Sequence, residues 1–378
     1  MELTVQKSSF LKALAHGQSV VEKRATVPVL SHVLLSATQA GLTLTSTDLD
    51  LSLVETIPAQ VRIAGRICVP AHLLYDIIKK LPDLPINLQI NQENQQLNIK
   101  AGRSDFNLPG LSPDDFPEIT SSALSHHFDI STKDFGYLID HTKFAMSDDE
   151  VRHHLNGIYF HLFEENGLLK MRAVASDLHR LACVSINAPE GLTEMPYTIV
   201  GRKAILEIRK LLDESLETVK IGLSDRRFEL SLQSSKSTIS FSSRLIDGLF
   251  PEYQHAIDAT VERSLKVNTR ALADAADRVS TVITGHDRIL RINLENQQVK
   301  LSAVSQQLGA AQEEIDVIAT NNEPMQICFN VNYLLDVAGL IKDEEMYLDI
   351  TSVDTPTIIR PANDNTNGQI YAIMHLTA

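Results

Sequence analysis

One short motif recurs along the chain at a fixed interval, and this spacing constrains the fold more than any other feature. The motif that contains Ser176 has weaker counterparts at Thr47 upstream and at Ser305 downstream, and the two intervals are equal. Equal spacing over a chain of 378 residues indicates three repeats of one domain. The middle repeat alone adds the pair His179-Arg180, so we expect a binding site there that the other two repeats lack.

Apolar periodicity predicts that each repeat contains two units of the form strand, helix and three strands. The units fit repeats at 1–122, 123–258 and 259–378, and the first two repeats close at the similar segments Asp115-Phe116-Pro117 and Leu249-Phe250-Pro251. The six predicted helices cover 8–21, 72–81, 132–144, 202–212, 269–282 and 332–341. A chain built this way belongs to the α+β class.

The chain is acidic overall, but its charges are unevenly distributed between the predicted helices and the rest of the sequence. A net charge of −14 argues against nucleic acid, because phosphate binding depends on Lys and Arg. Windows around the six predicted helices nevertheless contain 15 Lys and Arg against 8 Asp and Glu, and the rest of the chain contains 19 against 40. One interpretation is the ordinary preference of helix C-termini for cations. The other is a basic surface of helices that attracts a polyanion without sequence preference.

The cysteines and the apolar segments indicate a cytoplasmic protein. Cys68, Cys183 and Cys328 are far apart and form no Cys-x-x-Cys pair, which favours reduced thiols over a zinc site or a disulfide. No apolar run is long enough to span a membrane, and the N-terminus lacks the apolar segment of a signal peptide. We expect no membrane contact.

A row of six such units leaves two unpaired sheet edges, which are prone to aggregation unless something pairs with them. Head-to-tail pairing of two chains would cover both edges and close a ring. The candidate edges are the strand at 104–108 and a region of the third repeat, with Arg103 placed to meet an acidic residue of the other chain. The candidate interface residues are Arg103, Phe106, Leu108, Thr281, Val282, Glu313 and Glu314. The alternative is that Phe106 and Leu108 belong to the core of their own domain.

Six segments in register carry a family resemblance. They are Arg24-Ala25-Thr26-Val27-Pro28-Val29-Leu30, Thr45-Ser46-Thr47-Asp48-Leu49-Asp50, Val151-Arg152-His153-His154-Leu155-Asn156-Gly157, Ser176-Asp177-Leu178-His179-Arg180-Leu181-Ala182, Leu245-Ile246-Asp247-Gly248-Leu249-Phe250-Pro251-Glu252-Tyr253 and Phe329-Asn330-Val331-Asn332-Tyr333-Leu334. With these segments the sequence resembles the bacterial DNA polymerase III beta subunits, the family of replicative sliding clamps. Each segment alone is weakly specific, whereas six in order from end to end are strongly specific.

The resemblance implies three tandem DNA-clamp domains and a head-to-tail homodimer that forms a ring, with helices inside and sheets outside. It implies a non-catalytic subunit of a nucleotidyltransferase, the DNA-directed DNA polymerase III holoenzyme, with no 3'-5' exonuclease activity of its own. The ring would encircle double-stranded DNA without sequence preference and give the polymerase processivity in DNA replication. The implied partners are the clamp loader, the polymerase alpha subunit and other proteins with a clamp-binding motif, and no cofactor or metal is expected.

The resemblance also implies a pocket for short peptides in which apolar anchors enter a cleft. The residues carried over are Arg152, Leu155, Ser176, Leu178, His179, Arg180, Leu181, Pro251, Ala256, Asn330, Tyr333, Val353, Thr355 and Met374. Leu178 stands where the family commonly has a small residue, which implies a narrower pocket or an apolar rim. Ala256 is smaller than usual, and the chain lacks the terminal Arg that is usual in the family. Without the resemblance, plain core packing would be the favoured interpretation of Leu155, Leu181 and Pro251.

For DNA, the resemblance points to Arg24, His72, Lys79, Lys80, His153, His154, Arg180, Arg202, Lys203, Arg209 and Lys210. Such contacts are expected to reach backbone phosphates and to be weak, because a clamp must slide. The alternative for each exposed cation is a solvated surface.

Two competing classes of function stay open at this point. Asp177, His179, His153 and His154 could form a metal or acid–base site, as in a metal-dependent hydrolase that uses Asp177 and His179. No His-x-x-x-His motif, nucleophile elbow or phosphate-binding glycine loop accompanies them. A non-catalytic ring scaffold unrelated to DNA is the other alternative.

Overall fold

The computed structural model describes residues 1–91, 95–119, 123–212, 217–234, 237–258, 260–283, 288–295, 297–321, 323–352, 354–363 and 368–376. The described helices are α1 (Lys7–Val20), α2 (Ala71–Lys80), α3 (Thr132–Asp140), α4 (Arg202–Leu212), α5 (Gln254–Ile257), α6 (Thr269–Ser280) and α7 (Val331–Leu340). All six predicted helices are present, and the short α5 was not predicted. The predicted helix at 132–144 ends at Asp140, and a separate 3-10 turn follows at Lys143–Ala145.

The strands of the first repeat and its surroundings are β1 (Glu2–Val5), β2 (His32–Thr38), β3 (Gly41–Thr47), β4 (Leu51–Ile57), β5 (Ala59–Ile63), β6 (Gly65–Pro70), β7 (Ile86–Asn91), β8 (Gln96–Ala101) and β9 (Ser104–Pro109). Those of the middle repeat are β10 (His126–Ser131), β11 (Gly157–Glu165), β12 (Leu168–Ser176), β13 (Arg180–Asn187), β14 (Thr198–Gly201), β15 (Thr218–Leu223), β16 (Arg227–Gln233) and β17 (Thr238–Arg244). Those of the third are β18 (Arg263–Asn268), β19 (Ile289–Glu295), β20 (Gln298–Ser305), β21 (Gly309–Asp316), β22 (Ile318–Ala319), β23 (Met325–Asn330), β24 (Glu345–Ile350), β25 (Thr357–Pro361) and β26 (Ile370–Ile373).

The sequence pattern predicts one strand at 62–69, and this prediction is wrong in one respect, because the chain forms two strands there. β5 pairs with β1, whereas β6 pairs with β2 in a different sheet. Gly65 lies where the chain changes sheets, and a Cβ atom there would lie only 2.9 Å from the backbone nitrogen of Met1. A residue without a side chain therefore allows the crossing at this close approach.

The chain forms two compact units whose boundaries run through the middle repeat. Unit 1 comprises 1–136 and 189–247, and unit 2 comprises 137–188 and 248–378. Unit 1 contains sheets with the strand orders β5-β1-β7-β8-β9 and β10-β15-β16-β17-β4-β3-β2-β6. In unit 2, the strands run in the orders β11-β12-β13-β26-β25-β24-β18-β22 and β21-β20-β19-β23. Each unit thus joins one whole repeat to half of the middle repeat.

Equivalent strands join the repeats inside each unit. In unit 1, β4 of the first repeat pairs antiparallel with β17 of the middle repeat, and we call this contact the first junction. In unit 2, β13 of the middle repeat pairs antiparallel with β26 of the third, which we call the second junction. By position in the repeat, the corresponding strands that remain are β21 and β9. Both are edge strands of their sheets within the described residues.

The core of the first repeat shows why the helices form where they do. Phe10, Leu14 and Gly17 are buried on one face of α1, at the spacing of an amphipathic helix. Leu74 and Ile78 are likewise buried on one face of α2. The apolar faces of both helices pack in one cluster with the inner faces of the sheets. The polar faces of the helices are left exposed. Within the described residues, no helix is long and apolar enough to cross a membrane.

The basic excess of the helices is confined to unit 1, and the windows drawn from sequence overestimated its extent. α1, α2 and α4 together carry eight Lys and Arg against two Asp and Glu. α3, α6 and α7 together carry three against five. The predicted basic surface of six helices therefore reduces to three helices.

Candidate functional site

An open pocket in unit 2 lies beside the motif that is unique to the middle repeat. Its cavity of about 170 Å³ is lined by Ser176, Leu178, His179, Arg180, Leu181, Phe250, Pro251, Glu252, Tyr253, Ala256, Pro356, Ala372 and Met374. Most of these side chains are apolar, and the polar residues Ser176, His179 and Arg180 lie at the turn that joins β12 to β13. Such a lining suits an extended peptide with apolar anchors.

Side-chain hydrogen bonds hold that turn. The Asp177 Oδ1 atom accepts from the backbone N–H groups of His179 and Arg180, at 2.9 Å each. The Ser176 hydroxyl donates to the Arg180 carbonyl at 2.9 Å and accepts from the N–H of Leu178 at 3.1 Å. The corresponding turn of the first repeat is built in the same way, with Asp48 Oδ1 accepting from residues 50 and 51. The Ser/Thr-Asp pair of the first two repeats thus encodes a turn, and this local role explains why it recurs without a shared binding function.

The turn forces Leu178 into the left-handed backbone conformation, with φ of +73°. Leu49 occupies the equivalent turn of the first repeat and has φ of +82°. A leucine in this conformation places its Cβ atom close to a carbonyl oxygen, at a cost of roughly 1–2 kcal/mol. The side chain of Leu178 is 49% exposed and lies at the pocket rim. The family-based expectation of an apolar rim at this position is consistent with this placement.

Replacing Leu178 with glycine is expected to raise the free energy of unfolding by about 0.5–1 kcal/mol. Glycine removes the left-handed strain, and its larger unfolded-state entropy offsets part of the gain. Leu49→Gly is the matched control, because it relieves the same strain away from the pocket. Urea denaturation should show similar stabilisation for both variants, whereas only Leu178→Gly should change the affinity of the pocket for an extended peptide with apolar anchors. A loss of stability in both variants would contradict the assignment of strain.

Arg180 is held by two carboxylates and two rings. Its Nε lies 3.0 Å from Asp177 Oδ2, and its Nη1 lies 2.5 Å from Asp336 Oδ2 on α7. The guanidinium lies 4.4 Å from the centre of the Tyr333 ring and 5.2 Å from that of Phe144. The desolvation cost of this cation is small, because the carboxylates and the aromatic faces replace its contacts with water. Arg180 therefore joins the pocket turn to the third repeat at the second junction.

An aromatic cluster supports the opposite side of the pocket. The Phe250 and Tyr159 rings stack with centres 5.4 Å apart, and the Phe250 and Tyr253 rings meet edge to face at 6.3 Å. The Tyr253 hydroxyl lies 2.7 Å from His161 Nε2. Burial raises the pKa of Tyr253 to about 12 and lowers the pKa of His161, so the phenol is protonated and the imidazole neutral at pH 7. This pairing fixes the Tyr253 ring in the pocket.

The C-terminal strand completes the pocket. The backbone N–H of Met374 donates to the His179 carbonyl at 2.8 Å, which extends the pairing of β26 with β13. Beyond it, His375 Nε2 lies 2.6 Å from the Thr357 hydroxyl, and its ring meets Phe329 edge to face. The atypical C-terminal segment is thus tied to the sheet through His375.

The structure brings eight of the fourteen predicted pocket residues into the lining: Ser176, Leu178, His179, Arg180, Leu181, Pro251, Ala256 and Met374. Tyr333 reaches the pocket only through Arg180, and Thr355 adjoins the lining residue Pro356. Leu155 is fully buried at the end of a 3-10 turn, Glu150–Leu155, whose Arg152 is exposed. Asn330 caps α7, where its side chain accepts from the N–H of Asn332. Val353 lies outside the described residues.

Five lining residues were missed: Phe250, Glu252, Tyr253, Pro356 and Ala372. Three of them flank the predicted Pro251 closely in the sequence, so the resemblance at 245–253 could have found them. Pro356 and Ala372 carry no such signal, because a small side chain becomes part of a pocket only through the packing around it.

The candidate DNA-contact residues differ in their exposure and in whether they already form an ion pair within the chain. Arg24, Lys79, Lys80, His153, Arg202, Lys203 and Lys210 are exposed, whereas His72, His154, Arg180 and Arg209 are half-buried. Lys203 Nζ lies 2.5 Å from Asp48 Oδ2, and Lys210 Nζ lies 2.8 Å from Glu207 Oε1. Arg180 has the two carboxylate partners described above. Lys203 and Arg180 therefore serve junctions between repeats.

The candidate interface residues lie at or near the two edge strands. Arg103 precedes β9, in which Phe106 is 39% exposed and Leu108 is buried. Thr281 and Val282 follow α6, and Glu313 and Glu314 belong to β21. Glu313 is engaged within its own chain, because Arg278 donates to both of its oxygens at 3.0 and 2.5 Å and lowers the pKa of Glu313. Glu314 also has a partner within its own chain, since Lys300 Nζ lies 3.8 Å from its Oε1 atom, so a contact with Arg103 would compete with an existing ion pair at either residue.

The hydrolase alternative gains no support from this geometry. The Asp177 carboxylate is occupied by two backbone N–H groups and Arg180, so it orders a turn. Among the described residues, no three His, Cys, Asp or Glu side chains are grouped closely enough to hold a metal ion.

Comparison with protein-family models finds three matches in series along the chain. They are the N-terminal domain of the DNA polymerase III beta subunit at residues 1–120, its central domain at 129–252 and its C-terminal domain at 254–375. The beta sliding clamp of Caulobacter vibrioides (strain NA1000 / CB15N) is 39% identical over 377 residues, which covers 100% of both chains. That of Pseudomonas aeruginosa is 35% identical over 377 residues, again covering 100% of both.

Solved structures of beta sliding clamps have a fold similar to that of this chain. The beta sliding clamp of C. crescentus, crystallised with polyethylene glycol bound, has a TM-score of 0.95 at 38% identity and covers 100% of this chain and 99% of its own. The sliding clamp of Bartonella birtlesii bound to griselimycin has a TM-score of 0.94 at 39% identity and covers 100% of both chains. The fold and the domain order are therefore those of these proteins.

Proposed function

The chain belongs to the DNA polymerase III beta subunit family, and from this premise we propose that two protomers form a ring around duplex DNA. The protein is a DNA sliding clamp, a non-catalytic processivity factor of the DNA polymerase III holoenzyme. We propose domains at 1–122, 123–258 and 259–378, whose boundaries differ from those of the family-model matches by up to six residues.

The proposed ring rests on two edge strands that lack the pairing partner of their counterparts in the other repeats. β4 pairs with β17 and β13 pairs with β26, whereas their counterparts β21 and β9 are sheet edges within the described part of the chain. Head-to-tail association places β21 of one protomer beside β9 of the other, and a second such contact closes the assembly. We call each of these two contacts the third junction. Exposed edges of this kind would otherwise invite uncontrolled pairing.

The DNA contacts would come mainly from α2 and α4. Their cations Lys79, Lys80, Arg202, Arg209 and Lys210 supply most of the basic excess of unit 1, with Arg24 and the pair His153-His154 as further contacts. The rest of the protein is acidic, so DNA would be attracted to the helices and repelled elsewhere. Contacts to phosphates by a few long side chains permit sliding and weaken as salt increases.

The pocket in unit 2 would bind short segments of the clamp loader, of the replicative polymerase alpha subunit and of other replication or repair proteins. Its apolar lining of Leu181, Pro251, Ala256 and Met374 accepts apolar anchors, and the His179 turn offers polar groups for the peptide. Leu178 and Pro356 at the margin would add apolar contact. We place the protein in the cytoplasm, since its three buried cysteines are free thiols.

Retention on closed DNA tests this function. Labelled protein, loaded by the clamp loader of a related bacterium onto a nicked circular duplex, is expected to stay bound at high salt and to dissociate after the circle is cut. Topological linkage explains this result, because phosphate contacts alone would weaken greatly at high salt. Loss from intact circles as fast as from linear DNA would contradict the ring.

A further inference from the structure

We propose that the pocket in unit 2 prefers peptides in which a Lys or Arg lies beside the apolar anchors, and that Glu252 is the residue that selects this cation. The inference rests on the proposed function, because it assumes that the pocket binds peptide segments of partner proteins. It goes further by assigning the chemistry that distinguishes a tightly bound segment from a weakly bound one.

The one basic side chain of the lining, Arg180, is already engaged within the protein. Asp177 Oδ2 lies 3.0 Å from its Nε, and Asp336 Oδ2 lies 2.5 Å from its Nη1. A peptide carboxylate would therefore have to compete with two existing partners of this guanidinium. The pocket thus offers little to an acidic residue of a ligand.

The surroundings of Arg180 are negative in sum. Asp177 and Asp336 together outweigh its single positive charge. Burial raises the pKa of the neighbouring Tyr333, and three carboxylates, one of them that of Asp148, act in the same direction. Three carboxylates against one guanidinium leave this side of the pocket negative.

The other segments that form the pocket add acidic residues and no cation. Residues 248–258, 352–356 and 370–376 contain three acidic residues and neither Lys nor Arg. The three are Glu252, Asp258 and Asp354, all of them exposed. A cation of a bound peptide would therefore be attracted to the margin of the pocket, and a carboxylate repelled from it.

Glu252 is placed at that margin by its neighbours. It lies between two other lining residues, and its own side chain is exposed. The ring of Phe250 stacks on that of Tyr159, and the hydroxyl of Tyr253 lies 2.7 Å from His161 Nε2. The backbone of Glu252 is thus fixed beside the cavity, while its carboxylate remains accessible to a ligand.

The partner of Glu252 within the chain is weak. His255 Nε2 lies 3.8 Å from Glu252 Oε1, which is beyond hydrogen-bond distance, and the two side chains are 88% and 76% exposed. Ion pairs in solvent contribute little, so a ligand cation replaces the imidazole at small cost. Asp177, by contrast, accepts from two backbone N–H groups and from Arg180. Of these two carboxylates, Glu252 is therefore the one available to a peptide.

A bound segment brings its flanking residues to Glu252. The cavity of about 170 Å³ has room for few side chains, so the residues before and after the apolar anchors lie across the margin. An extended segment advances about 3.3 Å per residue, and the long stems of Lys and Arg keep their charged ends in solvent. A cation next to the anchors therefore reaches the carboxylate, whereas one several residues away interacts with it only through screened solvent.

Fluorescence anisotropy with the full-length protein tests the preference. Labelled peptides share the clamp-binding segment of the polymerase alpha subunit and carry Lys, Gln or Glu at the residue before the anchors or, in a second set, after them. In at least one set, we expect the Lys peptide to bind the wild type about 3-fold more tightly than the Gln peptide, and the Glu peptide about 3-fold more weakly. In roughly 1 M NaCl the three affinities should converge, because the Debye length falls to about 3 Å.

Substitutions of Glu252 separate a direct contact from the general charge of the protein. Glu252→Gln should reduce the difference between the Lys and Gln peptides to less than about 1.5-fold, and Glu252→Lys should make the Glu peptide the tightest binder. Glu164→Gln and Glu164→Lys are the matched controls, because Glu164 is exposed in the β11–β12 hairpin, at the other end of β12 from the pocket turn. Both controls should retain the order of affinities of the wild type. Thermal unfolding of each variant verifies folding.

The outcomes distinguish this inference from the proposed function. Equal binding of the Lys, Gln and Glu peptides to the wild type at low salt, in both sets, would overturn the preference and leave the peptide pocket in place. A preference that persists in Glu252→Gln, or that is lost equally in Glu164→Gln, would overturn the role of Glu252. Failure of every peptide to bind the wild type would contradict the proposed peptide site and, with it, this inference.

Discussion

Phe106→Asp is expected to convert the dimer into a folded monomer at micromolar concentration. Phe106 is 39% exposed on the edge strand β9, so an isolated protomer tolerates a carboxylate there. In the third junction the same carboxylate would be desolvated beside β21, whose Glu313 and Glu314 add like charge. An unpaired buried charge costs several kcal/mol, and about 1.4 kcal/mol corresponds to a factor of ten in the dissociation constant. We therefore expect the dimer dissociation constant to rise at least about 100-fold.

Sedimentation measures this change, and the retention of the variant on nicked circular DNA should be lost with it. Leu168→Asp is the matched control, because it places the same charge on a residue that is 59% exposed at the β11–β12 hairpin. The control should remain dimeric and retained. A dimeric Phe106→Asp protein with an unchanged dissociation constant would show that β9 does not form the interface.

Ala256→Phe is expected to weaken the binding of a clamp-motif peptide at least about 30-fold, or about 2 kcal/mol. Ala256 lines the cavity of about 170 Å³ next to Tyr253 and Met374, so an added phenyl ring occupies the space that a peptide anchor needs. The residue is half-buried on the short helix α5. The fold should therefore survive, and the ring should still be retained on circular DNA.

Fluorescence anisotropy with a labelled peptide from the polymerase alpha subunit measures the affinity. His255→Phe adds a similar ring at the adjacent position, where the side chain is 88% exposed, and should bind peptide like the wild type. If Ala256→Phe and wild type bind equally well, the peptide site lies elsewhere. If both variants lose binding, a general disturbance of α5 is the cause.

Several structural features were predictable because they depend on local sequence. The six main helices follow from apolar residues at helical spacing, as on α1 with Phe10 and Leu14. The recurrent turn follows from Ser or Thr before Asp, since both side chains bond to the backbone a few residues on. The change of sheet at Gly65 was missed, because a strand prediction does not say which neighbour each strand pairs with.

The candidate site was predictable where it lies in one segment and less so where distant segments meet. Ser176, His179 and Leu181 belong to the unique motif of the middle repeat and do line the pocket. Asn330, carried over with its segment, instead caps α7. Tyr253 lines the pocket because its hydroxyl is hydrogen-bonded to His161. Ala372 lines it because β26 pairs with β13. No local pattern specifies such a meeting.

The sequence by itself determined three repeats, their secondary structure and the family, because periodicity, turn chemistry and ordered motifs are properties of the chain. The tertiary structure alone decided which charges remain available: Arg180 is held by Asp177 and Asp336, and Glu313 by Arg278. It also decided that His72 has a buried nitrogen without a hydrogen-bond partner among the described residues. The physical reason is that most of these ion pairs and the desolvation of buried groups depend on distances between atoms far apart in the chain, and only folding sets those distances.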